Sequence, residues 1–202
     1  MTQDEATQMM DPPARVPKHV YRDPLDLVWA VTAKRLGLTL HRTSETYAST
    51  DGEFNLFIGT PETLDPDDSL AQLIFHELCH WIANGVDSVN EIDWGFGPMV
   101  QIEPGELVAL RLQAHLAGEW GLLKLLASTT DARTYWDEIC GAPLVPLDES
   151  DLERTVTAEA IQAVALSQQP PFGEPLKAAL SASAEIAKAV EQFSGEDPAG
   201  LW

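Results

Sequence analysis

The sequence predicts an α+β fold that is mostly helical, with a small sheet near its N-terminal side. Three observations carry that expectation. Several stretches place apolar residues at helical spacing between capping residues, glycines and prolines. Two short β-prone pieces, LTLHR and EFNLFIG, lie close together between residues 38 and 59. In FHELCHW, Phe75 to Trp81, three polar side chains interrupt a segment that otherwise reads as a core helix.

Residues 1–20 mix acids, methionines and prolines without any period, and are expected to form a loosely ordered arm ahead of a single domain over 21–202. Asp23-Pro24 is an N-cap followed by proline at the first helical position, LDLVWAVTAKRL has helical spacing, and Gly37 stops it. The β-prone pieces that follow, with STDG between them as a polar turn, suggest two or three strands. Thr60 to Asp68 is a loop, after which Asp67, Asp68 and Ser69 can cap a helix from Leu70 to Asn84 that ends at Gly85. A glycine-punctuated connection leads to Pro104, which opens a long apolar helix expected to reach Ala127. Asp131 to Cys140, Asp151 to Gln168 and Pro175 to Phe193 read as three further helices with proline-rich joints.

Composition narrows the function. At 202 residues and 45% hydrophobic content, the chain can bury a sizeable core. Its 12 Lys+Arg against 32 Asp+Glu leave a formal charge of -20, which repels phosphate backbones and anionic headgroups, so nucleic acid and membrane are not expected partners. The first residues carry acids where a secretory signal needs basic residues and an apolar stretch, no window has the apolar length of a membrane span, and two cysteines suit a reducing compartment. A cytoplasmic location is the expectation. Cys79 and Cys140 have no lysine or arginine beside them and read as small hydrophobes.

His76-Glu77-Leu78-Cys79-His80 matches H-E-x-x-H, in which histidines four residues apart share one helical face and can ligate one ion. With His76 as origin, His80 falls at about 40°, Asn84 at about 80° and Glu77 at about 100°, while apolar residues occupy the circumference from about 120° to 300°. That single polar arc must be satisfied inside the protein. Two histidines require a third protein ligand, for which Glu103, Glu106, Asp93 and His115 are candidates. Glu106 lies on the face continued by Leu110 and Gln113, while Glu103 is equally suited to capping. Asp93-Trp94-Gly95-Phe96-Gly97 offers a carboxylate that can hydrogen-bond a ligand histidine and aromatics that can wall a cavity. Arg111, Gln113 and His115 could line a cleft, but the exposed side of the long helix is the expectation for them, and His19 and His41 suggest no partner.

A carboxylate on the helix after H-E-x-x-H is also the arrangement of thermolysin-like peptidases. FHELCHWIANG, followed by EIDWGFG and by EPGE ahead of an apolar helix, resembles the bacterial elongation factor P hydroxylase family. That family has H-E-x-x-H-W, a glycine, D-F-G-Y and an acidic E-x-x-E stretch. His76, Glu77, His80, Trp81, Gly85, Asp93, Trp94, Gly95 and Phe96 fall in that order, and the resemblance covers about residues 70–112. It implies a two-histidine, one-carboxylate site of the type used by non-heme Fe(II) oxygenases, on a zincin-like scaffold. His76, His80 and Glu106 or Glu103 would hold Fe(II), with Glu77, Trp81, Asp93 and Trp94 around them. The substrate implied is a lysine side chain on a protein, elongation factor P in that family. The residues alone leave two other readings: a Zn(II) metallopeptidase in which Glu77 is the general base, and a non-catalytic metal-binding module.

Overall fold

A computed structural model describes residues 21–96, 103–129 and 132–193. The expected arm over 1–20, together with Gly97 and Asp131, lies outside them. Asp23 caps α1 (Pro24–Arg35) by accepting from the Leu25 and Asp26 amides, with Pro24 in the first turn where its missing N–H costs nothing. Three strands follow: β1 (Thr39–Thr43), β2 (Ala48–Thr50) and β3 (Asn55–Gly59). β3 is central, parallel to β1 and antiparallel to β2. Leu56 and Ile58 alternate into the core, while Phe57 points the other way and stacks on His41, which bonds Asn55. Part of the expected STDG turn is strand: Ser49 and Thr50 pair with Phe57 and Leu56, leaving the reversal to start at Asp51.

Ser69 caps α2 (Leu70–Asn84) through the Gln72 amide, and Gly85, at a φ of 91°, ends it. From Ala71 to Ile82 every side chain is buried. This helix lies in the middle of the molecule, against α1, α3 and α5, and the principal core runs from Leu25 on α1 through Leu78 to Leu180. The glycine-rich connection contains two 3-10 turns, Val86–Asn90 and Asp93–Gly95.

α3 (Pro104–Glu119) is shorter than expected. Its apolar pattern continues through LLKLLA, but Gly121 adopts a φ of 69°. The Leu122 amide then returns to the Ala117 carbonyl at 2.7 Å and the Gly121 amide to Gly118 at 3.2 Å, a Schellman reversal. α4 (Arg133–Ile139), α5 (Asp151–Ser167) and α6 (Gly173–Glu191) complete the fold. Three strands beside six α-helices among the described residues make a mostly helical α+β architecture. No helix of the described residues is long and apolar enough to cross a membrane.

The central helices are joined by a buried polar network as well as by apolar packing. Arg111, fully buried on α3, pairs with Glu153 of α5, donates to Tyr135 of α4 at 2.6 Å, and reaches the carbonyls of Pro143 and Val145. The expectation that Arg111 and Gln113 face solvent is therefore wrong. α3 is enclosed by α2, α4 and α5, so Arg111 and Gln113 point inward and are satisfied there.

Candidate metal centre

The polar arc of α2 divides between two neighbours. His76 and His80, at the start of the arc, face α3. Their Nε2 atoms lie 3.0 Å apart. Glu106, in the first turn of α3, places Oε2 3.0 Å from His80 Nε2 and Oε1 3.5 Å from His76 Nε2. One ligand atom from each of the three residues falls within 4.8 Å of the others, and all three side chains are buried. Ligand atoms about 2.0–2.1 Å from one tetrahedral ion lie roughly 3.3 Å apart. The observed separations bracket that spacing.

The donor set passes a further test of fit. Glu106 Oε1 is buried with no hydrogen-bond partner, because His76 Nε2 at 3.5 Å is an ion-pair distance and too long for a hydrogen bond. A buried carboxylate oxygen facing two imidazole nitrogens is what a divalent cation would satisfy. His76, His80 and Glu106 could thus hold a metal ion. Glu103, at the N-cap of α3, makes no side-chain capping bond and is not among these three. Three residues earlier than Glu106, it precedes the first turn, and the helical phase that aims Glu106 at α2 does not apply to it.

Electrostatics of the ion-free site follow from burial against charge. Burial disfavours the imidazolium of His76, but the charge of the adjacent Glu106 carboxylate, aided by that of Glu77 and by the hydrogen bond to Gln113, outweighs it and pushes His76 up to about 9. Burial also raises Glu106, and the two histidines outweigh it, holding the carboxyl well below the usual range.

The other half of the arc, Asn84 and Glu77, faces the Asp93–Gly95 turn. Glu77 Oε2 accepts from the Trp94 indole at 2.9 Å, and Asn84 donates to the Trp94 carbonyl at 2.9 Å. Asp93 and Trp94 have φ of 49° and 57°, a left-handed pair held from outside by the sheet. The Thr50 amide donates to Asp93 Oδ1 at 2.9 Å, and Thr50 Oγ1 accepts from the Trp94 amide. Asp93 is therefore not the partner of a ligand histidine, as its sequence position had suggested. Its carboxylate is used to dock the turn on the β2 edge. Trp81 donates to the Val86 carbonyl and stacks on Trp94 with ring centroids 5.5 Å apart, so it braces the turn from behind.

One contact of the site lies outside the expectations, and a second comes from Phe96, one of the aromatics expected to wall a cavity. The partner of His76 Nδ1 is Gln113 Oε1, at 2.9 Å. Gln113 is two helical turns beyond Glu106, so the seven-residue spacing that returns a helix to one face could have found it. Phe96 packs edge-on to His80 at 4.9 Å between ring centroids, in space that Gly105 leaves open. His115 lies away from the centre and pairs with Glu119 at 3.8 Å.

No family model, no curated protein and no solved structure matches the chain.

Proposed function

We propose that this protein is a metalloenzyme holding one divalent ion through His76, His80 and Glu106, and that it hydroxylates a lysine side chain of a protein at the expense of dioxygen. The observation that carries this reading is the contact between the two halves of the motif behind the resemblance to elongation factor P hydroxylases. Glu77 of H-E-x-x-H is bonded to Trp94 of D-W-G-F, and Trp81 stacks on the same ring. A carboxylate committed to an indole N–H acts as a fixed charge beside His76, which suits an orienting group better than a free general base. Fe(II), when bound, would supply the redox chemistry: one oxygen atom enters a C–H bond, and the other leaves as water with two electrons and two protons from an external reductant.

The chain's own residues hold, orient and enclose. His76, His80 and Glu106 would hold the cation, with Glu106 offsetting one of its two charges, Phe96 covers one side of His80, and burial keeps bulk water off the ligands. The charge of -20 favours a substrate that presents its lysine on a basic surface.

The zincin-like alternative, a Zn(II) metallopeptidase with Glu77 as base, is favoured by the acidic ligand on the helix after H-E-x-x-H. It is disfavoured at the sheet. Peptide substrates commonly add to a free strand edge, and the outer edge of β2 is partly taken, by the Asp51–Ile92 bridge and by the bonds of Thr50 to the Asp93–Gly95 turn. Metal analysis of protein purified without added metal, with oxygen consumption and peptide hydrolysis measured for native and Glu77→Gln protein, separates the readings. Stoichiometric iron with oxygen uptake is expected. Zinc with hydrolysis that disappears in the variant would establish the peptidase instead, and zinc without either activity would leave a non-catalytic metal-binding module.

A further inference from the structure

The amide of Gln113 decides something that the ligands cannot decide for themselves. A neutral imidazole offers its Nε2 lone pair to an ion only when its proton is on Nδ1. Gln113 Nε2 lies 3.0 Å from the Leu126 carbonyl, and Gln113 Oε1 lies 2.9 Å from His76 Nδ1. The carbonyl can only accept, so the amide nitrogen faces Leu126 and the amide oxygen faces His76. That oxygen also only accepts, so His76 Nδ1 carries a proton. Gln113 and Leu126 have no solvent exposure, so bulk water does not compete for either bond.

We infer that Gln113 is a positioning residue that locks His76 in the Nδ1–H tautomer and so keeps its Nε2 lone pair directed at the ion. The inference deepens the metal-centre reading and rests on it for the ion. The lock serves one ligand only. His80 Nδ1 is buried without a hydrogen-bond partner, while its Nε2 lies 3.0 Å from both His76 Nε2 and Glu106 Oε2. With the His76 Nε2 proton-free in the neutral site, His80 is the ring that donates from Nε2, and it must give up that proton to bind an ion. In the neutral site His76 therefore has its Nε2 lone pair free before the ion arrives, and His80 does not.

Two variants separate positioning from simple support. Gln113→Met removes both bonds, whereas Gln113→Glu keeps an acceptor for His76 and loses the amide donor to Leu126. Zn(II) affinity, measured against a chromophoric chelator, is expected to fall about 10- to 100-fold in Gln113→Met and to stay within about tenfold of native in Gln113→Glu. Denaturant midpoints of the ion-free proteins serve as the control, since both variants lose the Leu126 bond. Equal loss of affinity in both, tracking equal loss of stability, would overturn the positioning role, as would native affinity in Gln113→Met. The tautomer is read directly from the imidazole nitrogen resonances of ion-free native protein in alkali, where the rings are neutral. A proton on Nδ1 of His76 is expected, and a proton on Nε2 would overturn the lock. Nδ1–H in a native protein that binds none of zinc, cobalt or iron would uphold the lock and overturn the metal centre alone.

Discussion

Glu106 is the residue on which the site turns. It is the only carboxylate that meets the two histidines among the described residues, and its Oε1 is left unbonded. Glu106→Gln is expected to weaken Zn(II) binding by at least about tenfold, while Glu103→Gln leaves it unchanged, as read by chelator competition. The same pair makes ion-free stability depend on pH. His76 is raised from 6.5 to about 9, so its contribution is complete below 6.5 and is lost as pH rises through about 9. Glu106 is lowered from 4.5, so its contribution is complete above 4.5 and is lost as pH falls through the depressed value. Both are fully present between 4.5 and 6.5. Urea unfolding of ion-free protein is expected to show stability falling from pH 6.5 toward 9, with a flatter profile in Glu106→Gln. Stabilisation by added zinc should grow over that range, because the ion displaces the His76 proton.

At the scale of the element, α2 works as a partition. Its apolar circumference is core, and its polar arc is shared between α3 on one side and the Asp93–Gly95 turn on the other. α3 must therefore approach closely, and Gly105 is where it does so. A Cβ at Gly105 would overlap the Phe96 ring, which itself packs against His80. Gly105→Ala is expected to cost about 1–3 kcal/mol in denaturant unfolding and to weaken zinc binding, because either the ring or the helix start must move. Unchanged stability with unchanged affinity would show that Phe96 is free to leave the gap.

For the molecule as a whole, the placement of α3 involves Arg111 as well as apolar burial. Its guanidinium, itself wholly buried, joins α3 to α4, α5 and the 143–145 segment. Arg111→Met would leave Glu153 buried without its cation, and a loss of about 3–5 kcal/mol is expected in urea denaturation. Zinc affinity of the folded variant should stay within a few-fold of native, since Arg111 meets none of the three ligands. A large loss of affinity at native stability would instead tie the network to the site.

What could be read from the sequence was what local chemistry decides. Asp23-Pro24, Ser69 and Gly85 punctuate helices through bonds to residues a few positions away, so their roles were visible in one dimension. The i,i+4 histidines and the polar arc followed from helical phase alone. The end of α3 was not legible, because the apolar run continues past it and only the left-handed Gly121 reverses the chain. Nor could sequence choose between Glu103 and Glu106, or reveal that Asp93 docks on Thr50 while Gln113 takes the histidine. Those assignments depend on which faces of α2, α3 and the sheet edge meet. The sequence determined which groups lie on each face, and tertiary packing alone decided which faces touch.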